Sequence, residues 1–316
     1  MRYLVTGGAG FIGSHTVDEL VRRSHGVVVL DDLSTGKAKN LAQARSKIKL
    51  IQESITNLDA LREACRGADC VIHLAAQTSV PRSVKDPIET NLINVNGTLN
   101  VLVAAREAKV KRVVFACSCA VYGKTSALPI RENAGLAPIS PYGVSKQVGE
   151  AYGRVFQEMY GLEFVSLRYF NVFGPRQDPG SPYSGVLSVF SAALLGGTQP
   201  TVYGDGEQSR DFVYVENVVA ANLLAAEAKG APGLAINVGT GNRCTLNQTL
   251  ALLEKITGRH AQAKHAPPRE GDIRDSQADI GLARQALGYH PRIELEEGLK
   301  RTWEWFCAAS NQPNRR

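Results

Sequence analysis

The stretch Thr6-Gly7-Gly8-Ala9-Gly10-Phe11-Ile12-Gly13-Ser14 sits between a short apolar run, Tyr3 to Thr6, and a segment with helical spacing of apolar residues, Phe11 to Arg23 (Ile12, Val17, Leu20, Val21). A chain read strand, glycine turn, helix has few ways to fold. Gly7 allows a tight turn, Gly10 lets a pyrophosphate approach the backbone, and Gly13 lets the helix pack closely on the sheet. The start of the helix then offers unpaired N–H groups to phosphate oxygens. Glycines can also serve a turn alone, so the surroundings decide. The next apolar run, Val27 to Asp31, ends in the acidic pair Asp31-Asp32. A carboxylate at that strand end can accept both hydroxyls of an adenosine ribose and repels a 2′-phosphate, which favours NAD over NADP.

The alternation continues through the first half. Strands are expected over Ile48 to Gln52, Cys70 to His73, Arg112 to Cys117 and Glu163 to Arg168, and helices over Asn91 to Ala108 and Tyr142 to Tyr160. Continuous apolar strands alternating with helices predict an α/β fold, a Rossmann-type doubly wound parallel sheet covered on both faces. After Gly174 the texture changes, with Gly and Pro frequent in GPRQDPGSPYSG and GGTQPTVYGDGEQSRD. Helices follow at Leu246 to Ile256, between Thr245 and Gly258, and at Ile280 to Leu287; the threonine and the glycine are good caps. The expected division is a dinucleotide-binding domain over 1–173, rejoined by short segments near 211–240, and a smaller α/β substrate domain over 174–316 that closes on the strand ends. A chain of 316 residues is long enough for both.

Composition narrows the partners. The net charge is +6, but the charges are dispersed, and no basic run carries interleaved aromatics. Nucleic acid is therefore not expected, and a polyanionic small molecule accounts for the excess as well as a solvated basic surface does. No apolar run approaches a membrane span, and MRYLVTGGAG lacks the form of a signal peptide. The six cysteines are scattered, with no CxxC pair and no histidine cluster to complete a metal site. This usage points to a reducing, cytoplasmic setting.

Tyr142-Gly-Val-Ser-Lys146 opens an expected helix, which places Tyr142 and Lys146 one turn apart on one face. A free tyrosine, with a pKa near 10, is a poor base at neutral pH. A neighbouring ammonium and a positive nicotinamide ring would favour its phenolate. The YxxxK spacing alone is common. Downstream of a dinucleotide fingerprint, and with Ser118 at a strand end, it gains specificity.

The motifs TGGAGFIGS, VIHLAAQTSV, NLINVNGT, Ser-x-Ala-Val-Tyr-Gly, YGVSK, LRYFNVFGPRQ, YGDGEQSRDFVYV and REGDIR occur in order along nearly the whole chain. Together they resemble the extended short-chain dehydrogenase/reductase family, and within it the UDP-hexose 4-epimerases. The resemblance implies Tyr142 as acid/base, Lys146 as the holder of the nicotinamide ribose, and Ser118 as the hydroxyl that orients the substrate's 4-OH. It implies NAD contacts from Gly7, Gly10, Phe11, Ile12, Gly13, Asp31, Asp32, Ser54, Ile55, Leu74, Ala75, Ala76, Asn94 and Tyr169. It implies UDP-sugar contacts from Ser79, Asn171, Arg210, Arg269 and Asp272, the arginines suiting phosphate oxygens. Ser276 falls where the family bounds the pocket at the sugar's C2 substituent, and a serine there leaves room for an N-acetyl group.

Two departures stand out. Glu53-Ser54-Ile55 replaces the usual Gly-Asp-Ile or Gly-Asp-Val, and Cys117-Ser118-Cys119 replaces a serine-rich run. A related 4,6-dehydratase would carry a carboxylate beside Val121-Tyr122-Gly123, where this chain has Cys119-Ala120. A uronate epimerase, a decarboxylase, or an NAD-binding regulator without turnover are the remaining rivals. The expected reaction interconverts UDP-glucose with UDP-galactose, and UDP-GlcNAc with UDP-GalNAc, through a transient 4-keto sugar. A homodimer is expected, joined through the helices at 91–108 and 142–160.

Overall fold

The structure is a computed structural model, and residues 1–178, 185–268 and 273–310 are described. The first strands are β1 (Arg2–Thr6), β2 (Gly26–Leu30), β3 (Ile48–Ile51), β4 (Cys70–His73), β5 (Arg112–Ser118) and β6 (Glu163–Tyr169). Helices α1 (Phe11–Arg22), α2 (Leu58–Cys65), α3 (Val80–Lys85), α4 (Pro87–Asn91), α5 (Gly97–Glu107) and α6 (Pro141–Tyr160) lie between them. Later strands are β7 (Asn171–Phe173), β8 (Thr201–Tyr203), β9 (Ser209–Arg210), β10 (Phe212–Tyr214), β11 (Ala235–Val238), β12 (Cys244–Thr245) and β13 (Lys264–Ala266). Later helices are α7 (Val186–Leu195), α8 (Val215–Glu227), α9 (Leu246–Thr257), α10 (Gly281–Leu287) and α11 (Leu295–Ser310).

Seven strands form one parallel sheet in the order β11-β6-β5-β4-β1-β2-β3. This is the expected Rossmann-type sheet. Its central strands are buried along almost their whole length, as sheets with helices on both faces require. The order reverses between β1 and β4, and at such a point a crevice opens beyond the strand ends. The segments after Gly174 that lose strand-helix alternation split two ways. β11 returns to the sheet edge beside β6, and α8 packs against α1. A second apolar core forms from Phe173, Leu187, Phe190, Phe212, Leu250 and Leu299, among others, outside the main sheet.

Element boundaries differ from the sequence reading chiefly at one place. The helix expected from Asn91 begins at Pro87, where Asp86 accepts the Glu89 N–H at 2.9 Å and the proline supplies a pre-set φ. Leu92–Asn96 is then wound as a π-helix before α5 continues. That extra residue in the turn rotates Asn94 inward, where it is buried. At α9 the expected caps are present: Thr245 and Gln248 form a capping box and Gly258 takes φ 66°.

Beneath the crevice, His73 on β4 is fully buried and its tautomer follows from its partners. Thr98 Oγ1 donates to the Asn94 carbonyl at 2.6 Å, so it accepts from His73 Nε2 at 3.0 Å. Nδ1 is then the acceptor for Thr6 Oγ1 at 2.7 Å. Burial, with a smaller contribution from Lys146, pushes the imidazole down to about 3. An unfolded histidine titrates near 6.5. The unfolded chain therefore binds one more proton between those limits, and the stability tied to neutral His73 is present above about 6.5 and lost as pH falls toward 3. His73→Asn should reduce the acid slope of unfolding free energy by about 1.4 kcal/mol per pH unit, which denaturant titrations from pH 7 to 4 can measure. An unchanged slope would contradict this reading.

Candidate active site

The glycine turn closes against the strand beside it. Gly7 has φ +68°, and a Cβ there would lie 2.7 Å from the Ala75 nitrogen. A Cβ on Gly13 would lie 2.0 Å from the Gly7 carbonyl oxygen, so α1 can approach the turn only with glycine there. α1 starts at Gly10 without a side-chain cap, leaving its first-turn N–H groups for an outside acceptor. Phe11 and Ile12, at the start of that helix, pack against the second core.

Asp31, at the end of β2, is buried, and its carboxylate accepts from the Ala9 N–H at 2.8 Å and the Leu33 N–H at 2.9 Å. Burial pushes its carboxyl up, and those backbone bonds oppose the rise. Exposed Asp32 instead accepts from Ser34. Leu74, Ala75 and Ala76 continue from β4 across the turn, with the Ala75 N–H donated to Thr6 Oγ1 at 3.3 Å. Ile55 is buried against Gly97, and the Ser54 hydroxyl accepts from the backbone and hydroxyl of Thr56. A turn that no Cβ fits, an uncapped helix start and a carboxylate at the next strand end suit a dinucleotide.

Across the crevice, Ser118 ends β5 and Tyr142 stands at the start of α6. That helix begins where Ser140 Oγ accepts the Gly143 N–H at 3.1 Å, with Pro141 next. The Ser118 hydroxyl lies close enough to the Tyr142 phenol to favour its ionised form. Lys146 is buried; its Nζ donates to the Ala116 carbonyl at 2.8 Å and stands 5.9 Å from the Tyr142 ring centre. Burial pushes the Tyr142 phenol up, and the nearby Ser118 hydroxyl pulls the other way. In this arrangement the Lys146 ammonium spends one of its three donors on the Ala116 carbonyl. Burial also pushes Lys146 down to about 8, so it is mostly charged at pH 7. The trio can hold a hydroxyl between two hydroxyls and move its proton.

The other expected residues distribute as follows. The Asn94 amide holds the backbone N–H and carbonyl of Gln77 at 2.7 and 2.9 Å and donates to Ser145 Oγ at 3.0 Å, which ties the chain after β4 to α6. The Tyr169 hydroxyl donates to Asn222 on α8. Ser79 caps α3 through the Arg82 N–H at 3.0 Å. Asn171 lies on β7 and accepts from Ser276 Oγ at 3.4 Å, while the Ser276 N–H donates to the Ser209 carbonyl at 3.1 Å. Ser276 is thus a buried residue between β7 and β9, not a loop residue in solvent. Arg210 is anchored through Nη1 on the Ser209 and Arg274 carbonyls. Arg269 and Asp272 lie outside the described residues.

Sequence reading missed Asp211. It is fully buried between Arg210 and β10, and its carboxylate accepts from Thr240 N and Oγ1, Gly241 N and Ala278 N at 2.7 to 3.1 Å. It thereby fastens the Arg210 strand to the segment that carries Ser276. Only its place in SRDFVYV, a carboxylate at the head of an apolar run, could have signalled this. A cleft of about 480 Å³, lined in part by Tyr203, Asp205, Gln208, Pro268 and Arg274, opens beside this assembly.

Residues 3–239 match the family described as NAD dependent epimerase/dehydratase. The chain is 41% identical to the UDP-glucose 4-epimerase of Mycolicibacterium smegmatis over 97% of its own length and 98% of that protein. It is 34% identical to a UDP-N-acetyl-alpha-D-glucosaminuronate decarboxylase of Bacillus cytotoxicus, over 98% and 99% of the two chains. A UDP-glucose 4-epimerase of Thermotoga maritima solved with UDP-glucose superposes with TM-score 0.94 at 41% identity, covering 98% of this chain and 100% of that one. A UDP-N-acetylglucosamine 4-epimerase of Methanobrevibacter ruminantium, in complex with UDP-N-acetylmuramic acid, gives 0.94 at 40%, covering 98% of each. The Thermus thermophilus UDP-glucose 4-epimerase in complex with NAD gives 0.89 at 38%, with 98% and 100% covered. With its glycine turn, paired hydroxyls and buried lysine on a seven-stranded parallel sheet, the chain belongs to the NAD dependent epimerase/dehydratase family.

Proposed function

We propose that the protein is a UDP-hexose 4-epimerase that interconverts UDP-glucose and UDP-galactose, and UDP-GlcNAc and UDP-GalNAc. The observation that carries this is the Ser118 hydroxyl at the end of β5 beside the Tyr142 phenol, with Lys146 one turn beyond the tyrosine. The names of the relatives at 40–41% identity support it. Residues 1–173 hold the cofactor and 174–316 the UDP-sugar in this reading.

Tyr142 takes the proton of the sugar 4-OH, and Ser118 orients that hydroxyl. NAD, when bound, supplies the hydride acceptor at C4 and the donor that returns it. Lys146 holds the nicotinamide ribose and keeps positive charge behind Tyr142. Arg210, with Arg269 and Asp272, grips the UDP moiety, so the 4-keto sugar can turn over in the site without escaping. Asp31 selects NAD. Cys119 offers no carboxylate beside Ser118, which argues against dehydration.

In this reading Ser276 sets the substrate range: buried against Asn171, it is small where a larger side chain would meet an acetamido group. One panel tests both statements: wild type, Tyr142→Phe and Ser276→Tyr, each given UDP-galactose and UDP-GalNAc without added NAD. Wild type should convert both. Tyr142→Phe should lose about 10²–10⁴-fold in kcat while retaining NAD, because it deletes a proton acceptor and no wall. Ser276→Tyr should lose the N-acetylated substrate selectively, since a clash discriminates more strongly than a missing methylene. An inactive wild type would overturn the function, and equal losses on both substrates would overturn the gate.

We further propose a homodimer. Of the apolar residues expected to face a partner, Leu102 and Phe156 turn into the protein's own core, because the neighbouring helices and the sheet cover that face. A stripe stays in solvent: Ile88 on α4 and Leu92 at the start of the π-helix, beside Val144, Tyr152, Val155 and Met159 on α6, with Ile88 82% exposed. Such a patch fits a second copy packed across a two-fold axis. Sedimentation at micromolar concentration should show a dimer that Ile88→Lys weakens; a monomeric wild type would refute it.

A further inference from the structure

Lys146 and Glu150 lie one turn apart on α6 and carry opposite charges. At that spacing an ammonium and a carboxylate on one helix normally pair. Here they do not. Lys146 Nζ donates to the Ala116 carbonyl at 2.8 Å, while both Glu150 oxygens are taken by Arg168 of β6, from Nε at 3.0 Å and from Nη2. Ser166 Oγ adds a bond to the same carboxylate at 2.8 Å.

Arg168, itself only 4% exposed, is locked from its far side. Nη1 donates to the Tyr122 hydroxyl and to the Glu132 carbonyl, both at 2.9 Å, and Tyr122 donates onward to Asn237 at 2.6 Å. Sheet register sets Arg168 opposite Cys117 on one side and Asn237 on the other. A planar guanidinium held on two edges is a fixed fork that keeps a cation beside Glu150.

We propose that Arg168 is a positioning residue that sequesters the Glu150 carboxylate from Lys146, leaving the Lys146 ammonium available to Tyr142 and the cofactor. The inference rests on the catalytic roles proposed above. The titratable groups around Lys146 are Tyr142 on its own helix, Cys117 on β5 and His73 on β4, with Glu150 one turn further along α6. Burial pushes the Cys117 thiol up to about 12 and His73 down to about 3, so both are neutral at pH 7. Glu150 is the one group among these that could neutralise Lys146, and burial without such a partner pushes the lysine down to about 8. Released from Arg168, the carboxylate has two cations one turn away on α6, exposed Arg154 and buried Lys146, of which Lys146 is the one on the inner side. The ammonium would then be drawn along α6, away from the Ala116 carbonyl and from Tyr142.

The test is an NMR titration of Lys146 in isotopically lysine-labelled holoenzyme, with Lys146→Arg to assign the signal, together with kcat and KM. In Arg168→Gln the Lys146 midpoint should rise by about one pH unit or more, since an opposite charge within reach favours the charged form. kcat should fall roughly tenfold with KM changed by less than about twofold. Arg168→Lys, which keeps a cation for Glu150, should preserve the wild-type midpoint. The double variant Arg168→Gln/Glu150→Gln should restore both midpoint and kcat, which a purely structural role of Arg168 would not allow. Should Arg168→Gln not fold, Glu150→Gln alone leaves an unpaired Arg168 cation near Lys146 and must lower the midpoint. An unmoved Lys146 midpoint in folded Arg168→Gln, or in Glu150→Gln, overturns the proposal. The titration needs no turnover, so a wild type inactive on UDP-hexoses would defeat the proposed reaction and leave this inference to stand or fall separately.

Discussion

The β1–α1 turn approaches the backbone after β4 so closely that no side chain fits between them. Gly7 is the point of contact, with the Ala75 nitrogen 2.7 Å from where its Cβ would stand. This approach happens where strand order reverses, so it sets the width of the crevice from which everything else is measured. The α1 N-terminus faces into it uncapped, and Asp31 tightens it by binding the turn's own Ala9 N–H. His73 braces it from below through two threonines with a fixed tautomer. The Asn94 amide then carries the same geometry across to Ser145 and the start of α6. The glycine turn and the start of α6 are thus parts of one hydrogen-bonded frame.

A second constraint is electrostatic. The site places an ammonium, a phenol and two thiols in a dry region, where burial is the largest influence on each. Water cannot screen a misplaced carboxylate there, so Glu150 needs a partner of its own, and Arg168 provides one. The same device recurs around Asp211. Asp211 is buried with four donors arranged around it, and in that state it fastens the Arg210 strand to the segment bearing Ser276.

Much of this was legible in the sequence because the relevant rules are local. Glycine spacing, apolar runs bounded by turns, and cap residues such as Thr245 and Gly258 depend on neighbours a few residues away. The sheet and the Tyr142–Lys146 helix followed from them. What was not legible depends on distant partners. The start of α4 at Pro87 and the π turn that rotates Asn94 inward needed the contacts with Gln77 and Ser145. Periodicity marked α6 as apolar on more than one face without showing that Phe156 faces inward and Val155 outward. Glu150 and Arg168 read as ordinary charges, since nothing local reveals that strand register sets Arg168 beside Cys117. Ser276 was placed by resemblance, but its burial against Asn171 needed the fold.

The central claim is that Ser118, Tyr142 and Lys146 serve a hydride that leaves C4 of the sugar and returns to the same carbon within one closed site. Turnover of UDP-galactose carrying deuterium at C4, in the presence of excess free unlabelled NADH, tests this most directly. The account predicts UDP-glucose that retains the deuterium at C4, with none transferred to the free NADH pool. Loss of the label from C4, or its appearance in free cofactor, would contradict it.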